Sequence, residues 1–337
     1  MRRRALDALA VTCAVVLLAA LPGCGAAEHE EGAVVPTGAA GGVHKWPRPV
    51  PLPPLEDATG LSGAQLVAAQ DIDLPGADAR GAAQLSVRSG GIDRPYLLAP
   101  ARRVVLRSDP ALLVVLPAAN TLLRTEYDRY GLDAFRDHGV TVMVAGHDAA
   151  SWNAGACCGR PAEQDLDDVA AVTAMRADAV RRSGADAGRT VVIGHSVGAF
   201  MAWRLACTPA FGAAAVVAVS GTLVTGCPGL SHTPRMLSLN GALDQTVPVD
   251  GSDEVVPILG IAPPSVRESA RRLAAAGGCT APVTFGVGST TVTDHRSCSG
   301  GGTVRLQVVS DHGHTWVDLD ATRRVAAWLS STVAGVR

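Results

Sequence analysis

The five-residue run Gly194-His195-Ser196-Val197-Gly198 is the strongest chemical signal in the sequence. It lies between the apolar run 190–193 and a helical pattern, so we predict a strand, a tight turn and a helix at this point. A serine on such a turn holds its hydroxyl above the sheet, where it can attack a carbonyl carbon. The backbone amide of Val197, at the start of the helix, would face the oxyanion that forms. The alternative is a helix start whose serine has no catalytic role.

A serine nucleophile needs a histidine base and an orienting acid downstream. Four histidines follow the serine, namely His232, His295, His312 and His314. The first precedes the candidate acid, and the second lies in a polar stretch. The other two lie in the segment 310–316, directly after a predicted core strand. We expect His314 to be the base, because Gly313 permits a sharp loop and Trp316 can form one wall of the site. His312 is the alternative.

Asp244 is the candidate for the orienting acid. It lies shortly after the predicted strand 236–239, in a loop of the pattern G-x-x-D-x-x-V-P. A carboxylate at that position can accept a hydrogen bond from the imidazole N–H and fix its tautomer. Three other acidic residues lie farther from the strand end, and we interpret them as solvated loop charges: Asp250, Asp253 and Glu254.

Strand-like apolar runs alternate with helical patterns from about residue 82 onwards. Strands are predicted at 84–87, 95–98, 112–116, 140–145, 190–193, 213–219, 236–239 and 304–309. Helices are predicted at 126–138, 165–183, 197–207, 265–276 and 322–333. Two of the strand runs, 112–116 and 190–193, are apolar on both faces, which is typical of buried parallel strands. We therefore predict the α/β class, with a doubly wound, mostly parallel sheet and helices on both faces.

These residues and their surroundings resemble the exported polyhydroxybutyrate depolymerase and feruloyl esterase group of α/β-hydrolases, which includes lipoprotein esterases of actinobacteria. The resemblance covers most of residues 85–330. Its motifs are 90–96, the specific run Trp-Asn-Ala-Gly-Ala-Cys-Cys-Gly at 152–159, 167–169, 194–198, 204–207, 240–248 and 313–316. It implies the α/β-hydrolase fold for residues 82–337 and a Ser196, Asp244 and His314 triad that cleaves carboxylic esters through an acyl-enzyme. Around the substrate it implies a pocket lined by Trp152, His195 and Trp316.

The loop after the strand 112–116 departs from this family's pattern. The family usually has His-Gly there, and the loop that follows supplies the second oxyanion donor, whereas this chain has Pro117-Ala118-Ala119. Proline has no N–H, so the second donor beside Val197 would be the amide of Ala118 or Ala119. The loss of one donor costs about 3–4 kcal/mol of transition-state stabilisation, so the departure bears on the reaction rate more than on the fold.

The N-terminus predicts export. Residues 2–4 are arginines, residues 8–21 are almost wholly apolar, and Cys24 follows directly after Pro22-Gly23. The apolar run is short for a membrane span, and its flanks are typical of a signal peptide that ends at residue 23. The position of Cys24 resembles the lipobox of bacterial lipoproteins, in which this cysteine carries the lipid; a plain secretory signal with a chance cysteine is the alternative. Residues 24–81 are predicted to form a Gly/Ala/Pro-rich tether and N-terminal extension.

Six cysteines would remain after export and lipidation, at positions 157, 158, 207, 227, 279 and 298. An even number in an exported protein predicts disulfides. We expect a local bridge between Cys279 and Cys298. Adjacent cysteines do not easily bridge each other, so we expect Cys157 and Cys158 to pair with the remaining two, Cys207 and Cys227, in an order that the sequence leaves open. The spacing offers no C-x-x-C pair or histidine set for a metal site.

The overall composition excludes some functions. The 337 residues include 29 Lys plus Arg and 31 Asp plus Glu, and the net charge of −2 argues against nucleic acid as a partner. We expect an exported, lipid-anchored serine esterase on the outer face of the cell membrane, or secreted. It would act on small or polymeric esters without a cofactor or metal, and it would contact the membrane only through its lipid. The alternative is a surface lipoprotein that uses the fold as a non-catalytic or weakly active binding scaffold.

Overall fold

The structure, a computed structural model, describes residues 66–69, 72–105 and 108–333. The predicted signal peptide, the predicted lipidation site Cys24 and the greater part of the predicted tether lie outside these residues. Within these ranges, no helix has both the length and the apolar character that a membrane span requires.

Strands and helices alternate along the described residues. The strands are β1 Leu66–Ala68, β2 Ala83–Ser89, β3 Ile92–Ala99, β4 Arg103–Val105, β5 Ala111–Leu116, β6 Val140–Ala145, β7 Asp186–His195, β8 Ala215–Val219, β9 Arg235–Gly241, β10 Val283–Val287, β11 Thr290–His295 and β12 Thr303–Val309. The helices are α1 Leu123–Arg129, α2 Asp133–Arg136, α3 Gly159–Glu163, α4 Asp168–Ser183, α5 Val197–Ala206, α6 Val266–Ala276 and α7 Ala321–Val333. Short 3-10 helices lie at Pro209–Phe211 and Ser299–Gly301.

Ten of these strands form one sheet in the order β10-β11-β12-β9-β8-β7-β5-β6-β3-β2. The six central strands, from β12 to β6, are parallel, and an antiparallel pair extends the sheet at each edge. The chain passes from β5 to β6 on one side and then crosses to β7 on the other side of β5. Ligand sites in such sheets lie beyond the carboxyl ends of the strands near a reversal of this kind. β1 and β4 form a separate antiparallel pair.

The central strands are apolar on both faces because helices cover both faces. All six residues of β5 are buried. Leu112, Val114 and Leu116 belong to the core that α4, α5 and α6 cover. Leu113 and Val115 belong to the core on the other face, with α1, α2 and α7. This alternation along one strand confirms the predicted doubly wound, mostly parallel sheet.

Two predicted helices differ from the structure at their ends. The predicted helix 126–138 forms α1 and α2, which are separated at Gly131, where φ is 63°, a conformation that glycine adopts without steric cost. The predicted helix 165–183 begins only at α4, because the Asp167 side chain accepts a hydrogen bond from the Ala170 amide and caps the helix. The predicted strands do not include the edge strand β10, whose five residues are all exposed and therefore show no burial pattern.

The last residues of the predicted N-terminal extension contact the domain. Leu74 is buried in the same core as Leu112. The Arg80 side chain donates to the carboxylates of Asp128 and Asp133, at 2.8 and 3.2 Å. Residues 72–81 therefore pack against the domain beside α1 and α2.

The disulfide prediction is correct for one bridge and wrong for the other two. Cys279 and Cys298 are bridged, with Cα atoms 3.9 Å apart. Cys157 and Cys158 do not reach Cys207 and Cys227. Instead, the adjacent pair forms its own bridge across a cis peptide bond, with Cα atoms 3.1 Å apart. Cys207 and Cys227 are bridged to each other, because the end of α5 and the loop after β8 place their Cα atoms 4.9 Å apart, within the usual span of a disulfide.

Candidate active site

Ser196 lies on the turn between β7 and α5, as the sequence predicts. Its backbone has φ 53° and ψ −124°, a conformation that non-glycine residues rarely adopt. The neighbouring glycines make room for this turn. A Cβ atom at Gly194 would collide with the Gly198 carbonyl, and one at Gly198 would collide with the Leu116 carbonyl at the end of β5. The turn therefore holds Ser196 directly beside the loop that follows β5.

His314 joins Ser196 to Asp244. His314 Nε2 lies 3.0 Å from Ser196 Oγ, and His314 Nδ1 lies 2.8 Å from Asp244 Oδ2. A carboxylate only accepts, so Nδ1–H donates to Asp244, and Nε2 is left to accept the serine proton. The Asp244 side chain is fully buried. Its Oδ1 accepts from the amides of Thr246 and Val247, at 2.9 and 2.8 Å, which fixes the carboxylate.

The loops that carry the acid and the base are bound to each other. A Cβ atom at Gly241 would collide with the carbonyls of His312 and Gly313, so glycine permits the close approach of the two loops. The Leu243 amide donates to the His312 carbonyl at 2.9 Å. The His312 ring pairs instead with Asp311, at 2.8 Å. The structure thus brings His314, and not the alternative His312, to Ser196.

The loop after β5 is held by its carbonyl groups. The indole N–H of Trp152 donates to the Pro117 carbonyl at 3.1 Å, and the Thr121 hydroxyl donates to the Ala118 carbonyl at 2.8 Å. The Ala119 amide has no hydrogen-bond partner among the described residues, which leaves it free for an oxyanion. Val197, the first residue of α5, has an amide outside the helical hydrogen-bond ladder.

The three aromatic side chains predicted to line the substrate pocket are largely buried. Trp152 is 0%, Trp316 3% and His195 6% exposed. Trp152 holds the Pro117 loop, and Trp316 stacks on Tyr130 with 4.1 Å between ring centroids. Each of the three side chains is held by a hydrogen bond to a neighbouring protein group, and their role in lining the substrate pocket stays a prediction.

Three exposed apolar side chains lie within three residues of a candidate oxyanion donor, the acid or the base. Leu122 follows the loop after β5, Leu243 precedes Asp244, and Val317 follows Trp316. Their exposed fractions are 74%, 62% and 40%. The loops after β5, β9 and β12 therefore present apolar groups to solvent within a few residues of the candidate oxyanion donors, the acid and the base.

Tyr130 belongs to this site, although sequence reasoning missed it. Its hydroxyl lies 3.0 Å from Nδ1 of His195. Tyr130 follows α1, far from the elbow in sequence, and only the packing of α1 on the sheet brings the two together. No spacing pattern could have indicated this contact. Among the described residues, no group of three or more His, Cys, Asp or Glu side chains is arranged to hold a metal ion.

No protein-family model matches the chain, and no curated protein matches it. Among solved structures, acetyl xylan esterase from Aspergillus awamori is similar, with a TM-score of 0.52 and 16% identity over 70% of this chain and 94% of that chain. Esterase 2 of Thermogutta terrifontis also matches (TM-score 0.47, 13% identity, 75% of this chain and 93% of that chain). S-formylglutathione hydrolase of Staphylococcus aureus matches with a TM-score of 0.46 and 12% identity, over 80% and 98%. The strand order and the similarity to the first of these structures show that the chain has the α/β-hydrolase fold.

Proposed function

We propose that this protein is a serine carboxylic-ester hydrolase. The observation that carries the proposal is the continuous set of contacts from Ser196 Oγ through the His314 ring to the Asp244 carboxylate, at 3.0 and 2.8 Å. A nucleophile, a base and an orienting acid in this arrangement can cleave an acyl bond. The elbow conformation of Ser196 holds its hydroxyl against His314, and the amides of Val197 and Ala119 would supply the oxyanion donors.

The reaction would proceed in two stages. In the first, Ser196 Oγ bonds to the ester carbonyl carbon while His314 Nε2 takes the hydroxyl proton. The amides of Val197 and Ala119 stabilise the oxyanion. Collapse of this intermediate breaks the bond to the alcohol, which leaves with the proton from His314. In the second stage, water gives a proton to His314 and attacks the acyl-enzyme, and Ser196 recovers its proton as the acid is released.

The exposed side chains of Leu122, Leu243 and Val317 support a preference for esters that carry an apolar group on at least one side of the ester bond. Such side chains on the three loops can bury apolar substrate surface. The resembling polyhydroxybutyrate depolymerase and feruloyl esterase group acts on aryl esters, acetylated sugars and polyesters, and the apolar side chains favour the aryl esters and polyesters. A series of p-nitrophenyl esters of increasing acyl length, together with a feruloyl ester, tests this point. We expect kcat/KM to rise with acyl length and then level off, whereas a preference for acetate would contradict it.

The export and lipid anchoring of the chain are part of the same proposal. They rest on the basic residues 2–4, the apolar run 8–21 and Cys24. Two or more acyl chains give stable membrane attachment, whereas one chain holds only marginally. In the bacterial host, wild-type protein should sediment with membranes, and Cys24→Ala should remain unprocessed. Fully soluble wild-type protein with an N-terminus other than Cys24 would contradict lipid anchoring.

The second candidate is a binding scaffold with little or no catalysis. Pro117 favours it, because this residue has no N–H to donate to an oxyanion. Hydrolysis of short p-nitrophenyl esters separates the two candidates. Turnover by the wild type that disappears in Ser196→Ala supports the esterase. If the wild type and Ser196→Ala hydrolyse the ester equally slowly, the reaction does not use Ser196, and this result supports the scaffold.

A further inference from the structure

His195 lies immediately before the proposed nucleophile and is not needed for any step of the proposed reaction. It is the last residue of β7, and its ring is almost wholly buried. His195 Nε2 lies 3.1 Å from the backbone carbonyl oxygen of His314, and His195 Nδ1 lies 3.0 Å from the Tyr130 hydroxyl. The ring thus connects Tyr130 to the backbone of the candidate base.

These contacts allow one arrangement of protons. A backbone carbonyl is only an acceptor, so Nε2 of His195 must carry the hydrogen. Nδ1 then has a lone pair, and the Tyr130 hydroxyl donates to it. The hydrogen bonds therefore run from Tyr130 through His195 to the loop of His314.

Tyr130 is itself fixed in place. Its ring is fully buried and stacks on Trp316, two residues after His314. The Trp316 indole N–H donates to the Thr322 hydroxyl at 2.9 Å, and this hydroxyl donates to the Tyr130 carbonyl at 3.0 Å. The segment around His314 is consequently held at two points. His195 holds the His314 carbonyl, and Tyr130 holds Trp316.

We propose that His195 is a positioning residue that, together with Tyr130, fixes the backbone of His314 so that its ring can reach Ser196 and Asp244 at the same time. The inference rests on the proposed hydrolase function. A displacement of about 1 Å in a reacting group can cost about 100-fold in rate, and a backbone anchor on the base prevents such a displacement.

The surroundings keep the ring in the required state. Burial, followed by the nearby charge of His314, lowers the pKa of His195 to about 4. The charge of Arg129 acts in the same direction, and that of Asp244 acts against it. Burial, followed by the nearby carboxylate of Glu126, also raises the pKa of the Tyr130 hydroxyl well above its usual value, so this group stays protonated as a donor. The arrangement is thus maintained across the range in which an unperturbed histidine would titrate.

The test compares three single variants, His195→Phe, His195→Gln and Tyr130→Phe, by kcat and KM on a p-nitrophenyl ester at a temperature well below unfolding. Phenylalanine removes both hydrogen bonds of His195. Glutamine keeps an N–H donor for the His314 carbonyl and an oxygen that accepts from Tyr130. We expect kcat to fall about 10- to 100-fold in His195→Phe with KM nearly unchanged. The His195→Gln variant should retain most of the wild-type kcat. The double variant of His195→Phe and Tyr130→Phe should lose no more than His195→Phe alone, because the two side chains act through one contact.

Two results would overturn the proposal. One is a folded His195→Phe variant whose kcat lies within twofold of the wild type, and the other is a glutamine variant no more active than the phenylalanine variant. Nitrogen NMR of the histidine rings gives a readout that does not depend on activity. His195 should be neutral with its proton on Nε2 near neutral pH, and a proton on Nδ1 would refute the arrangement even if the wild type hydrolyses no ester. An inactive wild type with the expected His195 tautomer would count against the hydrolase function alone.

Discussion

The indole N–H of Trp152 donates a hydrogen bond of 3.1 Å to the carbonyl oxygen of Pro117. This contact joins the Trp-Asn-Ala-Gly loop to the loop that would supply the second oxyanion donor. It gives a function to a tryptophan that is fully buried and does not touch solvent. The Pro117 carbonyl shares its peptide plane with the Ala118 amide. The next plane, which carries the Ala119 amide, is held by the Thr121 hydroxyl at the Ala118 carbonyl, so both planes are fixed.

Replacement of Trp152 by phenylalanine should therefore slow catalysis. One neutral hydrogen bond contributes about 1 kcal/mol, so we expect Trp152→Phe to lower kcat about fivefold with little change in KM. Trp203→Phe is the matched control, since Trp203 is equally buried and its indole also donates to a backbone carbonyl, that of Gly221, at 3.1 Å. Both variants should be less stable than the wild type, but only Trp152→Phe should show the fivefold lower kcat. Equal effects of both variants on kcat would show that Trp152 acts through stability alone.

The proline at position 117 should limit the rate. Replacement of Pro117-Ala118 by His-Gly restores an N–H at position 117 and the sequence found in the resembling enzymes. We expect kcat to rise, by up to about 100-fold, because one oxyanion donor has an effect of that size. Ala118→Gly alone, which keeps the proline, is the control and should change kcat little. A folded double variant with an unchanged or lower kcat would refute this role of Pro117.

Stability should depend on pH through His195. Its pKa is about 4 in the folded protein and about 6.5 when unfolded, so between these values the unfolded chain binds a proton that the folded chain does not. The free energy of unfolding therefore falls as pH decreases from about 6.5 to about 4, by about 3 kcal/mol from this group. Burial lowers the pKa of His147 too, which adds a change of the same sign.

Urea denaturation at a series of pH values checks this dependence. Between pH 6.5 and pH 4, the free energy of unfolding of His195→Gln should fall by about 3 kcal/mol less than that of the wild type. Parallel curves for the two proteins would mean that His195 is not buried in its neutral form.

The disulfides should stabilise the fold without taking part in the reaction. The bridges Cys207–Cys227 and Cys279–Cys298 close loops of nearly equal length, with sequence separations of 20 and 19. In the chain-entropy model each contributes about 3 kcal/mol to the free energy of unfolding. Removal of either bridge by a double Cys→Ser replacement should lower stability by a similar amount and leave kcat nearly unchanged. Non-reducing peptide mapping should recover both links, and a link from Cys157 or Cys158 to Cys207 would contradict the structure.

The elbow and the final histidine could be predicted from the sequence because local patterns determine them. The apolar run before Gly194 and the helical pattern after Gly198 specify a strand, a turn and a helix. His314 could be identified because it follows the last core strand. In both cases the informative residues lie within about ten positions of each other.

The remaining features depend on contacts between distant segments. Tyr130 reaches His195 only because α1 packs on the sheet. The sequence around each of the two residues does not indicate this contact. The pairing of Cys157 with Cys158 could not be predicted, since the sequence does not specify the cis peptide between them. Trp152 and Trp316 could be recognised as part of the site from their motifs. Their burial and their hydrogen bonds to neighbouring loops are properties of the packed core.

The proposed triad is tested most directly by active-site labelling with a fluorophosphonate, in which the serine oxygen bonds to phosphorus and fluoride leaves. Mass spectrometry of the digested protein locates the label, and ester hydrolysis is measured on the same samples. We predict that wild-type protein is labelled on Ser196 and loses its activity as the label accumulates. Labelling and hydrolysis should be nearly abolished in His314→Ala, reduced by several orders of magnitude in Asp244→Asn, and largely retained in the matched control His312→Ala. A label on another residue, or loss of labelling in His312→Ala with retention in His314→Ala, would contradict the proposed mechanism.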